Sequence, residues 1–175
     1  MPSKSPRKVV GRLTQTEYGI VRALTDEQQI DAASLETAVT TAVTDRFELA
    51  NGFIEAAKLL AASGNPLVRR SAVSRAYYAA YHAARATVFA VRRRDENDHE
   101  KLPKAVDQLP GQDQPIGDSL KELRELRREM DYSPYPGPDA QSEYDQNELN
   151  DEIPKSIATA EHVVVVLTEY LAHRE

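Results

Sequence analysis

The sequence predicts an all-α protein: an antiparallel up-down bundle of four to five main helices with an N-terminal helical extension. Three observations carry this. The 175 residues are rich in Ala, Glu, Arg and Leu, with 7 glycines and no tryptophan, a balance that favours helix over sheet. Apolar residues recur at steps of three and four through most of the chain. Residues 74–89, SRAYYAAYHAARATVF, form a helical pattern that is apolar or aromatic on nearly every side, as expected of a helix at the centre of a bundle or a dimer.

The elements follow in order. Residues 1–24 form a basic tail, with Lys4, Arg7, Lys8 and Arg12 and no acid before residue 13. A short disordered solubilising tail is preferred here over a nucleic-acid arm. Thr25 and Gln28 form a capping-box pattern that opens a helical extension over 25–44, with Ile30, Leu35, Val39 and Ala42 as its apolar positions. From Asp45 the pattern strengthens through Leu49, Phe53, Ala56 and Leu60. Gly64-Asn65-Pro66 stops that helix, glycine supplying a left-handed end and proline being unable to continue it.

The central helix is expected over 67–94. Val73, Tyr77, Tyr81, Ala84, Val88 and Val91 form one face. Arg75, Tyr78, His82, Arg85 and Phe89 form the opposite one, flanked by Ala76, Ala79, Ala83, Ala86 and Ala90. No Asp, Glu or Lys occurs from 71 to 94. A buried Arg–Tyr–His–Arg stripe needs partners, because unpaired charge in a low-dielectric interior is costly. Residues 95–115 then read as a polar connection with room for one short helix. Ile116, Leu120, Leu123 and Met130 mark the next helix, and Ser133-Pro-Tyr-Pro-Gly-Pro ends it. The last helix spans about 146–173, through Ile157, Ala160, Val164, Leu167 and Leu171, with Pro154 as an alternative start. Val163–Val166 lies inside this helical period and is read as helix.

Composition narrows the function. With no cysteine, disulfides, thiolate zinc sites and thiol catalysis are excluded. No apolar run is long enough to span a membrane, and no signal peptide is apparent, so a cytoplasmic protein is expected. A net charge of −6 argues against nonspecific coating of nucleic acid but leaves room for a small basic cleft. The four histidines (82, 99, 162 and 173) show no metal-ligand spacing. There is no glycine-rich phosphate loop, and no metal or other cofactor is expected.

The candidate chemistry lies on the stripe. Arg75 and His82 share a face about two turns, or ~10.5 Å, apart. Arginine clamps phosphate and imidazole moves protons near neutrality, a pairing suited to metal-independent cleavage of RNA by its own 2′-OH. DNA, lacking that hydroxyl, is spared. The plainer reading is that His82, Tyr77, Tyr78 and Tyr81 simply pack. A second constellation holds Arg124, Arg127, Arg128, Asp131 and Tyr132. Its arginines also suit the negative end of a helix, and Asp131 is placed to pair with Arg75 or Arg127. His99, in RRRDENDHEK, is expected to be solvent-exposed beside a basic cluster, within reach of a phosphate.

The stretch from Phe47 to Phe89 with SRAYYAAYHAARA, then LRELRREMDYSP, a polar loop and a helix through Ile157–Val166, resembles the HEPN family in order and spacing. The likeness covers about 45–173 and is closest to small stand-alone prokaryotic members. It defines residues 45–175 as a HEPN-like bundle, commonly a homodimer with a cleft at its interface. It implies an RNA-linked protein: a metal-independent endoribonuclease or the toxin-type component of a toxin–antitoxin or defence system. The alternative it implies is a non-catalytic dimeric module that binds a nucleotidyltransferase partner or a nucleotide. Ribonuclease members carry an arginine, four to six residues, then a histidine, ahead of the last helix. Here Arg127 is followed by Asp131 and Tyr132 with no histidine, whereas Arg75 and His82 have that spacing on the earlier helix. Arg75, Tyr78, Arg127, Asp131 and Tyr132 are carried over as members of the polar cleft. His82 joins them on spacing, and Arg85 and His99 as neighbours.

Overall fold

The computed structural model describes residues 11–26, 31–132 and 146–174, and among these the regular secondary structure is helix throughout, with no strand. Helices α1 (Gln15–Asp26), α2 (Ala32–Ala61), α3 (Pro66–Arg92), α4 (Leu102–Asp107), α5 (Ile116–Tyr132) and α6 (Gln146–Ala172) follow one another along the chain. The central position expected for the tyrosine-rich helix is the one α3 occupies, packed against α2, α6, α5 and α4. Its alanine flank makes this possible. Ala76, Ala79, Ala83 and Ala86 are completely buried, and so small a surface lets neighbouring helices approach closely. Tyr77, Tyr81 and Val88 fill the main core from the adjacent face, with Leu102, Ile116, Ile153 and Leu167 around them.

The N-terminal region differs from the expectation of a loose tail up to residue 24. Thr14 caps α1: its hydroxyl accepts from the Glu17 N–H at 3.3 Å, and Glu17 accepts from the Thr14 N–H at 2.8 Å. This is a complete capping box, and Leu13 and Tyr18, which flank it, are both buried in one cluster with Leu35, Val39, Ala42 and Phe89. Leu13 and Tyr18 thus act as a hydrophobic staple. The expected box at Thr25 is not a helix start, for Thr25 lies in the last turn of α1 with its hydroxyl donating to the Val21 carbonyl at 2.9 Å. Asp31 caps α2 instead, accepting from the Ser34 N–H at 2.8 Å. From there α2 runs unbroken through 44–45, so no element boundary falls between the extension and the bundle. Residues 1–10 lie outside the described residues.

Smaller details of the helix ends also differ from expectation. Ala62, in right-handed helical geometry, caps α2, and Gly64 does not take the left-handed conformation. Asn65 then caps α3 through the Leu67 N–H at 2.9 Å, with Pro66 in the first turn. Helix α3 ends on Arg93, whose φ of 52° makes it the one non-glycine residue of positive φ among those described. Pro154 sits inside α6 rather than at its start. The expected non-helical Ser133–Pro138 segment lies outside the described residues. Among the described residues, no helix is long and apolar enough to cross a membrane.

Candidate functional site

The second face of α3 grades from exposed to buried. Arg75 is exposed, Tyr78, His82 and Arg85 are half-buried, and Phe89 is fully buried. What covers this face is mainly aromatic. Phe53 of α2 lies 5.8 Å from Tyr78 and stacks on His82 at 5.5 Å between centroids. The Arg75 guanidinium sits 5.6 Å from that same Phe53 ring. Arg75 and His82, expected as a pair, therefore share one aromatic ring between them.

At the α5 end, Arg127 donates through Nε to Asp131 at 2.9 Å, and Asp131 also accepts from the Ser74 hydroxyl at 2.5 Å. Of the two partners open to Asp131, the structure selects Arg127. The Arg127 guanidinium lies 5.5 Å from the Tyr78 ring and 5.6 Å from that of Tyr132, at a separation that favours cation–π attraction. Tyr132 is largely exposed, at 72%. Tyr78, Arg127, Asp131 and Tyr132 thus come together, and Arg75 reaches them only through Phe53 and Tyr78.

His99 is not the exposed loop histidine that the sequence suggests. It is half-buried, lies on Tyr81 and shares a hydrogen bond of 2.5 Å between its Nδ1 and the Tyr77 hydroxyl. Burial raises the pKa of Tyr77, so this phenol stays protonated and donates to neutral His99. That fixes the imidazole proton on Nε2. Protonation reverses the Nδ1 bond and leaves the Nε2–H donor in place. Burial first, then Arg124 and Arg127, lowers the pKa of His99. His82 meets the edge of the Tyr81 ring at 5.3 Å. Burial, followed by Arg85 and Arg46, pushes His82 down to about 4. Both imidazoles are thus set against one tyrosine, and His82 is neutral at pH 7.

On the far side of His82 opens a cleft of about 580 Å³, to which Arg12, Arg46, His82, Arg85, Asp95 and Asn97 contribute. Asp95 binds two arginines there. Arg85 grips it through two nitrogens at 2.7 and 2.5 Å, and Arg46 reaches it at 3.0 Å. The Arg46 guanidinium also lies over Phe89 and donates to the Gly11 carbonyl. Of the expected site residues, His82 and Arg85 line this cleft; Arg75, Tyr78, His99, Arg127, Asp131 and Tyr132 do not.

Sequence reasoning missed Arg46 and Asp95, which are 49 residues apart and carry no local signal of their pairing. It also passed over a countable one. The arginine-to-histidine spacing noted for Arg75 and His82 also runs to His99, with six, five and four residues intervening from Arg92, Arg93 and Arg94.

Comparison with known protein families matches the HEPN domain to residues 43–170. The chain belongs to the HEPN domain family. No curated protein and no solved structure matches it.

Proposed function

We propose that this HEPN protein binds single-stranded RNA along the Tyr132–Arg127–Tyr78–Phe53–Arg75 strip and cleaves it without a metal. The observation that carries this reading is the placement of His82 and His99 against one ring, Tyr81, at 5.3 and 4.3 Å between centroids. Aromatic faces interleaved with guanidiniums suit unpaired bases and the phosphates between them. Arg75 is exposed and has no carboxylate partner among the described residues, which leaves it available to a phosphate.

In the reaction, neutral His82 takes the proton of a ribose 2′-OH as that oxygen attacks the adjacent phosphorus. Protonated His99 gives its Nε2 proton to the departing 5′-oxygen, and the P–O5′ bond breaks. The products are a 2′,3′-cyclic phosphate and a 5′-hydroxyl, and proton exchange with water resets both imidazoles. Arg127 and Arg75 stabilise charge on the phosphoryl oxygens, and Asp131 holds Arg127 in place. Incubating RNA with the protein in excess chelator tests the reading. Cyclic-phosphate ends, lost in both His82→Ala and His99→Ala while helicity persists, are expected. Cleavage undiminished in both variants, or none in the wild type, overturns the chemistry.

A second reading is favoured by one observation: Arg46, Arg85, Arg124 and Arg127 are each already paired with a carboxylate. Such neutralisation suits a non-catalytic homodimeric module that binds a nucleotidyltransferase or antitoxin partner. Intact RNA together with recovery of such a partner from native extracts supports that reading over the first.

A further inference from the structure

The connection from Arg93 to His99 is fastened from two sides. On the α3 side, Arg85 grips Asp95, and the Tyr81 hydroxyl donates to the Asn97 carbonyl at 3.0 Å. On the other side lies the N-terminal segment 11–26. The Asp95 N–H donates to the Leu13 carbonyl at 3.3 Å. Arg46, bound to Asp95 at 3.0 Å, also donates to the Gly11 carbonyl. Arg93 has a left-handed φ of 52°, a conformation that is unfavourable for a residue with a Cβ. Its guanidinium is held by Glu36 at 2.7 Å, and Glu36 in turn accepts from the Tyr18 hydroxyl at 3.4 Å.

The segment itself is lightly held. Among the described side chains of α1, Tyr18 is the only buried one. With Leu13 it seats in the cluster of Leu35, Val39, Ala42 and Phe89, which is separate from the main core. A segment with so few buried apolar contacts belongs to the low-stability end of a fold and opens on its own. We propose that residues 11–26 form a releasable clasp, in which Leu13 and Tyr18 are positioning residues that keep His99 on Tyr81 only while the clasp is seated. The coupling follows from the bonds just named. When Leu13 leaves, the Asp95 N–H loses its acceptor and Arg46 loses the Gly11 carbonyl. When Tyr18 leaves, the Glu36–Arg93 pair stands open to water and is screened by salt. The left-handed turn at Arg93 then relaxes, and residues 95–99 are no longer directed back along α3. The consequence for cleavage rests on the RNA reading; the placement of His99 does not.

NMR of the histidine rings tests the clasp in the full chain. The double variant Leu13→Ala/Tyr18→Ala removes both anchors, and Leu13→Met/Tyr18→Phe keeps their bulk. In the wild type and the conservative pair, the His99 ring protons are expected to carry the ring-current shift of the stacked Tyr81, with the imidazole proton on Nε2. In the folded alanine pair that shift is expected to fall by about half or more as the seated state becomes the minority, and the Nδ1 tautomer to appear. The signals of His162, on α6, are expected to stay in place, which a general loosening of the fold would not allow. Should the alanine pair not fold, native-state hydrogen exchange of the wild type decides. The amides of Tyr18 and Asp95 are then expected to exchange in one opening step, ahead of the interior of α3. An unchanged His99 spectrum in the folded alanine pair, or an Asp95 amide that exchanges with α3 rather than with Tyr18, overturns the clasp. Absence of cleavage by the wild type overturns the RNA reading instead, and leaves the His99 spectra to decide the clasp.

Discussion

His99 lies flat on Tyr81, with ring centroids 4.3 Å apart and planes 18° from parallel, while Tyr77 holds its Nδ1 at 2.5 Å. A loop residue is thereby fixed against the central helix by two tyrosines one turn apart. Replacing Tyr77 with Phe removes the hydrogen bond and keeps the ring. The expected outcome is a mixed Nδ1/Nε2 tautomer for His99 in 15N NMR where the wild type shows Nε2–H alone. RNA cleavage drops by about tenfold, the scale of one hydrogen bond of roughly 1.4 kcal/mol. An unchanged tautomer contradicts the assignment.

The two histidines set a pH dependence. His82, near 4, acts unprotonated, and His99, below its ordinary 6.5, acts protonated. Cleavage is therefore expected to peak below pH 6.5 and to decline as pH rises through the His99 transition. A pH–rate profile peaking above pH 7 contradicts these roles.

Folding stability carries the same signature. Because the folded pKa of His82 lies below its unfolded value, the unfolded chain binds the proton first. Its contribution is fully present above pH 6.5 and is lost as pH falls from 6.5 towards 4. Denaturant midpoints for the wild type are expected to fall across that window, and less steeply in His82→Phe. Parallel slopes contradict the assignment.

Asp95 neutralises two arginines from a side chain only 8% exposed. Asp95→Asn leaves Arg46 and Arg85 facing each other without their counter-charge, and the expected loss is about 3–5 kcal/mol. Chemical denaturation measures it directly.

Gly117 opens the first turn of α5 against α4. A Cβ there would stand 2.6 Å from the Pro103 carbonyl oxygen and 2.1 Å from an Asp107 carboxylate oxygen, and Asp107 also accepts from the Gly117 N–H at 2.7 Å. Backbone cannot yield cheaply, so Gly117→Ala is expected to lower stability by about 1–3 kcal/mol. An equal melting temperature contradicts that packing.

Where side-chain period and burial coincide, the sequence was sufficient to read the fold. Tyr77, Tyr81 and Val88 recur at helical steps because one continuous core faces them, and the alanine flank announced close packing. In residues 11–24 the basic composition masks the helix start, although the capping box of Thr14 and Glu17 and its Leu13–Tyr18 staple are written in six consecutive residues. The site was legible only along α3. Arg75, His82 and Arg85 share a stripe, but their surroundings come from afar: Phe53 from α2, Asp95 from beyond the Arg93 turn, Arg127 from α5. The burial of His99 has no local sign, because Tyr77 and Tyr81, which close on it, lie 22 and 18 residues earlier.

The central claim is that RNA lies on the strip where Arg127 sits by Tyr78 and Tyr132. Fluorescence anisotropy with a labelled single-stranded RNA decamer, for the wild type and for folded Tyr78→Ala and Arg127→Ala, tests it most directly. Each variant is expected to lose about tenfold or more in affinity, on the scale of ~1–3 kcal/mol per stacked base, and Arg127→Ala to flatten the salt dependence by about one ion. Wild-type affinity and an unaltered salt slope in both variants would contradict it.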